Sequence, residues 1–194
     1  MKIFNIAVCA SGGGGNFQAL IDAQHEHGFC IELLVVDREC GAIARAKAAG
    51  IPVARIAGSK QEIGLHLETI FSEKINLIVL AGFMPIIPRS ICEKWKGKMI
   101  NTHPSLLPKY GGKGMYGVRV QEAVMAAGEK YAGCTVHYVN SKVDGGEIIL
   151  QASLEIDYNE SPWQLGGRVF IEENKILVEA IKLLRLNEFS RRPL

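Results

Sequence analysis

The chain contains no C-x-x-C pair. Its five cysteines, Cys9, Cys30, Cys40, Cys92 and Cys134, are odd in number and irregularly spaced, so a zinc ribbon or redox dithiol is excluded. They read as buried or incidental thiols of a reducing cytoplasm, and no metal is expected. Charge of one sign is lacking too. Twenty-two Lys and Arg against 20 Asp and Glu leave a net charge of +2, which gives no electrostatic reason to expect nucleic acid as partner. No apolar run is long enough to span a membrane, and the apolar stretch before Ser11 lacks a signal-peptide layout. No repeat, linker or low-complexity segment divides the 194 residues, so residues 1–194 are expected to form one domain.

What is present in excess is glycine, 21 of 194 residues, where average usage is roughly 7%. Gly12 to Gly15, Gly111, Gly112, Gly114, Gly117, Gly145, Gly146, Gly166 and Gly167 form four short clusters at expected loops or element edges. Glycine bends tightly and lets a ligand or another backbone approach, so such clusters mark either loops that hold something or plain turns.

Hydrophobic periodicity predicts alternating strands and helices. Ile3 to Cys9 reads as a strand, followed by the glycine loop and a helix from Asn16. Ile31 to Val36, Val53 to Ile56, Leu77 to Ala81 and Lys98 to Asn101 read as further strands. Gly41 to Ala49, Lys60 to Glu73 and Arg89 to Trp95 read as the helices between them. Strands apolar throughout and separated by helices mean an α/β fold, a mostly parallel twisted sheet with helices on both faces. Residues Thr102 to Gly117 are a long Pro/Gly-rich connection, and Val118 to Ala127 is a helix. Thr135 to Val139 and Glu147 to Ile156 are expected to pair as an antiparallel C-terminal hairpin around Asp144-Gly145-Gly146. Ser161-Pro162-Trp163-Gln164 opens the last helix with a capping box, and Arg191 to Leu194 reads as a loose tail.

The first glycine loop, with Asp37 at the end of the second strand, invites a dinucleotide reading. The fingerprint fails because its third glycine would be Phe17 or Gln18. A glycine loop running into a helix N-terminus still suits one phosphate, with Asn16 as an added donor. Asn101-Thr102-His103-Pro104 carries the sharper chemistry. In extended backbone Asn101 and His103 point the same way, and an amide beside an imidazole can stabilise an oxyanion and move a proton. The alternative for His103 is a ring satisfied by loop backbone. Asp144, in its tight turn, is the candidate carboxylate to orient that ring, although hairpin turns favour Asp-Gly on their own account. His137 reads as a structural strand residue, and His25, His27 and His66 as surface or helix-end residues.

Ser11 to Gln18, Leu80-Ala81-Gly82-Phe83-Met84, Asn101 to Tyr110 with its HPSLLPKYGG run, and Val143 to Gln151 together resemble the phosphoribosylglycinamide formyltransferase family. The resemblance covers nearly the whole chain and implies a Rossmann-like formyltransferase fold. It also implies transfer of a formyl group from 10-formyltetrahydrofolate to the amine of glycinamide ribonucleotide in purine synthesis. Asn101, His103 and Asp144 would be catalytic. Gly14, Gly15, Asn16 and Glu173 would hold the ribonucleotide, the last as a ribose contact, although an exposed helix acid is the competing reading of Glu173. Met84, Pro85, Ile86, Ile87, Asn140 and Val143, with Asn101 and Asp144, would form the folate pocket. Lys60 would stand where relatives place an Arg. The substrate half would cover about residues 1–100 and the catalytic and folate half about 101–190, in a monomer or homodimer.

This sequence departs from the family pattern at several places. Gly15 replaces a common Ser or Thr, Pro85 an often basic position, and Arg119 and Gln121 frequent His positions, while Glu172 puts an acid near a substrate contact. None of these departures touches Asn101, His103 or Asp144, so they bear on the acceptor. Another amine, such as an amino sugar nucleotide, water in a deformylase, or an inactive folate- or nucleotide-binding protein are the alternatives. The length is expected to exclude relatives that carry an extra N-terminal or C-terminal module.

Overall fold

The computed structural model describes residues 3–190, with the side chains of Lys60, Phe189 and Ser190 outside that description. The tail expected over residues 191–194 lies outside the described residues as well. Seven strands and six helices follow in the order β1 (Phe4–Ala10), α1 (Gly15–His27), β2 (Phe29–Val36), α2 (Gly41–Ala48), β3 (Val53–Arg55), α3 (Lys60–Ile70), β4 (Leu77–Leu80) and α4 (Arg89–Lys94). The second half continues with β5 (Met99–His103), α5 (Val118–Ala126), β6 (Tyr131–Tyr138), β7 (Ile148–Glu155) and α6 (Pro162–Ser190).

One sheet runs β3-β2-β1-β4-β5-β6-β7. The first five strands are mutually parallel, and β5–β6 and β6–β7 pair antiparallel. The sheet is α/β as its alternating apolar segments dictate, with the antiparallel strands at the C-terminal end. Along β1 the side chains alternate between two cores. Phe4, Ile6, Val8 and Ala10 pack with Phe17 and Leu20 of α1 and with Leu177, Ala180 and Ile181 of α6. Ala7 and Cys9 pack with Leu67 of α3 and Ile91 and Cys92 of α4 on the opposite face. A third cluster joins Val120 and Val124 of α5 to Leu165 and Val169 of α6. Among the described residues no helix is long and apolar enough to cross a membrane, and all five cysteines are free.

Element boundaries moved where tertiary pairing outweighed local signal. The third helix stops at Ile70 rather than Glu73, because Phe71 turns out of the helix and is buried against Trp95, ring centroids 5.8 Å apart. Strand β5 extends two residues past Asn101, since Thr102 and His103 find partners in Val136 and Thr135 of β6. Strand β6 begins at Tyr131, four residues before the expected start, where Tyr131 to Cys134 register with β7. Helix α6 opens as expected. Gln164 N–H donates to Ser161 Oγ at 3.3 Å, and Gln164 Oε1 accepts from the Ser161 N–H at 2.8 Å.

The chain winds from β1 outward to β3, then crosses to β4 on the other side of β1. The strand order therefore reverses between β1 and β4, and the crevice beyond their C-terminal ends is where ligands bind in open α/β sheets. Ser11 and Gly82, the residues leaving those strands, are tied there. Ser11 N–H donates to the Gly82 carbonyl at 3.1 Å, and Met84 N–H to Ser11 Oγ at 2.8 Å.

Candidate active site

A cleft of about 1040 Å³ opens at that crevice. It is lined by the glycine loop, the segment after β4, the end of β5, the connection before α5, the Asp144 turn and the start of α6. The volume lies at the upper end of ordinary small-molecule sites, enough for two substrates side by side.

The glycine loop forms one end. Gly14 caps α1 in the left-handed conformation, φ 72°, and offers no side chain to the helix N-terminus. The N–H groups of the first turn are therefore left for a ligand, with the positive end of the helix dipole behind them. A Cβ at Gly12 or Gly13 would meet nothing within 4 Å, so the loop shows bare backbone to the cleft. Arg45 fixes the loop from outside, its Nε donating to the Gly13 carbonyl at 2.8 Å and Nη1 to Gln18 Oε1 at 3.0 Å.

Strand β5 delivers the reactive cluster, and the two faces of the strand serve two purposes. Asn101 and His103 emerge on one face and Thr102 on the other. His103 Nε2 lies 2.9 Å from the Tyr110 carbonyl. A carbonyl only accepts, so Nε2 carries the proton and Nδ1 is the nitrogen turned to Asp144 Oδ2, 3.6 Å away. Asp144 is held by the Gly112 N–H, 2.8 Å from the same oxygen. Tyr110 and Asp144 are the two non-glycine residues with positive φ, 55° and 51°, among those described. Both strained positions thus serve to aim a group at His103, one a carbonyl and one a carboxylate.

His137, read from sequence as structural, belongs to this cluster. The antiparallel register places it directly across from Asn101. Its Nδ1 donates to the Tyr138 carbonyl at 2.8 Å, and Nε2 lies 3.2 Å from Asn101 Nδ2 and 3.7 Å from Asp144 Oδ1. Burial pushes its pKa below the ordinary imidazole value, despite the opposing Tyr138 carbonyl and Asp144. The neutral ring then accepts from the Asn101 amide and sets which way that amide faces.

On the other face of β5, Thr102 Oγ1 donates to Glu173 Oε1 at 2.8 Å, and Asn16 Nδ2 donates to the same oxygen at 3.0 Å. Glu173 is 7% exposed and lines the cleft, so the exposed-acid reading of this residue does not hold. Burial raises its pKa, with the Thr102 and Asn16 hydrogen bonds acting against that shift. Thr102 carried no local signal except its place between Asn101 and His103.

The expected folate segments divide. Met84, Ile86, Val143 and Asp144 line the cleft. Ile87 is instead buried in the core beneath α4, and Pro85 is not among the lining residues. Asn140 shapes the turn, its Nδ2 donating to the Gly145 carbonyl at 3.0 Å and its Oδ1 accepting from Lys142 N–H at 2.9 Å. Lys60 opens α3, and its side chain lies outside the described residues. Glu172, expected to make the rim less friendly to an anion, pairs with Lys175 at 2.7 Å and is absent from the lining. Arg119 sits over the Tyr116 ring at 5.1 Å.

Comparison with known proteins bears on this geometry. The formyl transferase family model matches residues 4–181. The chloroplastic phosphoribosylglycinamide formyltransferase of Arabidopsis thaliana is 34% identical over 91% of this chain and 63% of the relative. The human trifunctional purine biosynthetic protein adenosine-3 is 35% identical over 94% of this chain and 18% of the relative. The chain thus spans less than two thirds of the length of these curated relatives. The crystal structure of phosphoribosylglycinamide formyltransferase from Anaplasma phagocytophilum superposes with a TM-score of 0.87 at 32% identity, covering 96% of this chain and 89% of that one. By the extent of the family match and the likeness of the whole fold, this chain belongs to the formyl transferase family, alongside phosphoribosylglycinamide formyltransferases.

Proposed function

We propose that the protein transfers a formyl group from 10-formyltetrahydrofolate to the amine of glycinamide ribonucleotide. The observation that carries this reading is the convergence of the Asn101, His103 and Asp144 cluster with a bare helix N-terminus and a buried Glu173 in one cleft. A phosphate fits the free N–H groups at the start of α1. Ribose hydroxyls fit Glu173, whose Oε1 is occupied by Asn16 and Thr102 while the side chain borders the cleft. Met84, Ile86 and Val143 offer an apolar wall to a pterin ring. The folate donor supplies the formyl carbon when bound.

The acceptor amine attacks that carbon, the formyl C–N bond to the folate breaks, and one proton passes from the amine to the folate nitrogen. Asn101 Nδ2 lies 3.2 Å from His137 Nε2 and donates to Asp144 Oδ1 at 3.5 Å, and the hydrogen of that long second bond is the one to turn to the oxygen that gains charge. His103, held at Nε2 by Tyr110, presents Nδ1 beside Asp144 Oδ2 at 3.6 Å, placed to take and return the proton that leaves the amine. Five free cysteines support the cytoplasmic placement.

The test is tetrahydrofolate release from 10-formyltetrahydrofolate with glycinamide ribonucleotide, with an amino sugar nucleotide, and with water alone. Release should depend on the ribonucleotide. Equal rates with and without it would remove the ribonucleotide as acceptor.

A further inference from the structure

The Tyr110 carbonyl that meets His103 Nε2 belongs to a residue in the left-handed region, φ 55°. A tyrosine holds that conformation only where its surroundings enforce it. Two residues on, the Gly112 N–H holds Asp144 Oδ2. One tripeptide, Tyr110 to Gly112, thus aims both groups that flank the imidazole. The segment before it is tied to the sheet. Thr135 Oγ1 donates to the Ser105 carbonyl at 2.6 Å, Leu107 N–H donates to Thr135 Oγ1 at 3.1 Å, and Ser105 Oγ donates to the Lys109 carbonyl at 2.7 Å. None of these bonds reaches Tyr110 itself.

Glu129 does. Its Oε1 accepts from the Tyr110 hydroxyl at 2.9 Å and from the Lys109 ammonium at 2.8 Å. It is not among the residues that line the cleft. It stands just past α5, where Gly128 turns left-handed at φ 68° and closes the helix. Gly128 N–H donates to the Met125 carbonyl at 3.0 Å, and Glu129 N–H to the Val124 carbonyl at 3.4 Å. The Glu129 carbonyl accepts from the Tyr158 hydroxyl at 2.8 Å. The backbone on either side of the carboxylate is therefore fixed. The Lys109 and Tyr110 hydrogen bonds hold its carboxyl below the usual carboxylate range, so at neutral pH it only accepts. Lys109 is 66% exposed, and an ion pair in that setting is screened, which leaves the hydroxyl bond as the one that holds Tyr110.

We propose that Glu129 is a positioning residue for the transfer: through the Tyr110 hydroxyl it keeps the Tyr110 carbonyl on His103 Nε2, and with it the tautomer whose Nδ1 can take a proton. A tyrosine has two side-chain torsions. Pinned at its hydroxyl and packed against the cluster of Val120 and Val169, Tyr110 has little freedom left at its backbone. A neutral imidazole carries one N–H, on the nitrogen that finds the better acceptor. With the Tyr110 carbonyl displaced, that proton moves to Nδ1 beside Asp144 Oδ2, and Nδ1 has no lone pair for the proton of the amine.

The effect on rate rests on the formyl-transfer reading, whereas the tautomer is read on the free protein, by two-bond proton–nitrogen NMR correlations of the neutral His103 ring. The native protein should show Nε2–H. Glu129→Ala and Tyr110→Phe should each move His103 to a mixture of tautomers and lower kcat by about tenfold, with KM for both substrates within about twofold of native. The double variant should lose no more than either single one. Glu129→Gln keeps an acceptor for the hydroxyl and should hold the tautomer and most of the rate. A Glu129→Ala protein that keeps Nε2–H, a fall in rate with the tautomer unchanged, losses that add in the double variant, or a Glu129→Gln protein as impaired as Glu129→Ala overturns the proposal. If formyl transfer fails with every acceptor while the tautomer still follows Glu129, the functional reading falls and the hold of Glu129 on the imidazole stands.

Discussion

Asp144 illustrates how much a single residue's surroundings decide. From sequence it is the candidate carboxylate for His103, held in an Asp-Gly-Gly turn that hairpins also favour. In the fold its Oδ2 accepts from Gly112 N–H at 2.8 Å and lies 3.6 Å from His103 Nδ1. Asp144→Asn keeps an acceptor for Gly112 but loses the carboxylate beside His103 Nδ1. Turnover should fall by roughly 10²- to 10⁴-fold, with acceptor affinity by calorimetry close to that of the native protein. Unchanged turnover would take Asp144 out of the mechanism. Glu173 carries a pH signature. Burial raises its pKa in the folded state, so the folded protein holds a proton at pH values where the unfolded chain has released it. Its stability contribution is complete below about pH 4 and declines as pH rises through the folded-state pKa. Glu173→Gln should therefore melt higher than the native protein at pH 8, with the difference closing toward pH 4, while acceptor KM rises by about tenfold for the lost charged contact. A melting difference independent of pH would contradict this account. Asn101 and His103 were legible from period-two spacing before a proline. His137 was not, because its partnership with Asn101 depends on the register of two strands 36 positions apart in sequence.

At the scale of elements, apolar runs and turn residues located every strand and helix, and the errors fell at the ends. Strand β6 began early because Gly133 pairs with Ser153 and packs beneath Leu106, contacts that no local propensity encodes. That close approach leaves Gly133 no room for a side chain. A methyl group there would fall on the backbone carbonyl of Ala152. Gly133→Ala should cost at least about 2 kcal/mol through overpacking and ladder distortion, read as a lower urea midpoint, and full native stability would show that the hairpin shifts freely. The helical glycines Gly166 and Gly167 read as a weakness in α6 when seen alone. In the fold both line the cleft, and a Cβ on Gly167 would meet nothing within 4 Å.

At the scale of the molecule, the sequence suggested one domain with a substrate half and a catalytic half, and the sheet is continuous from β3 to β7. Helix α6 packs against α1 and β1 of the first half as well as α5 of the second. Unfolding should accordingly be one transition in calorimetry. A ribonucleotide at one hundred times its Kd should raise that transition as a unit, by ~2.7 kcal/mol of linkage, a shift of roughly 5–10 °C at this size. Two transitions, only one of them moved by ligand, would show that the halves fold separately. The sequence by itself determined the fold class, because buried parallel strands must be apolar throughout and helices must show a 3.6-residue stripe. It also determined the glycine loop and the Asn101–His103 pair, which are local in the chain. The tertiary structure alone decided what those groups meet. Asp144, His137, Glu173 and Glu129 come from distant elements, and their roles depend on strand register, burial and the direction of each side chain, which short-range patterns do not specify.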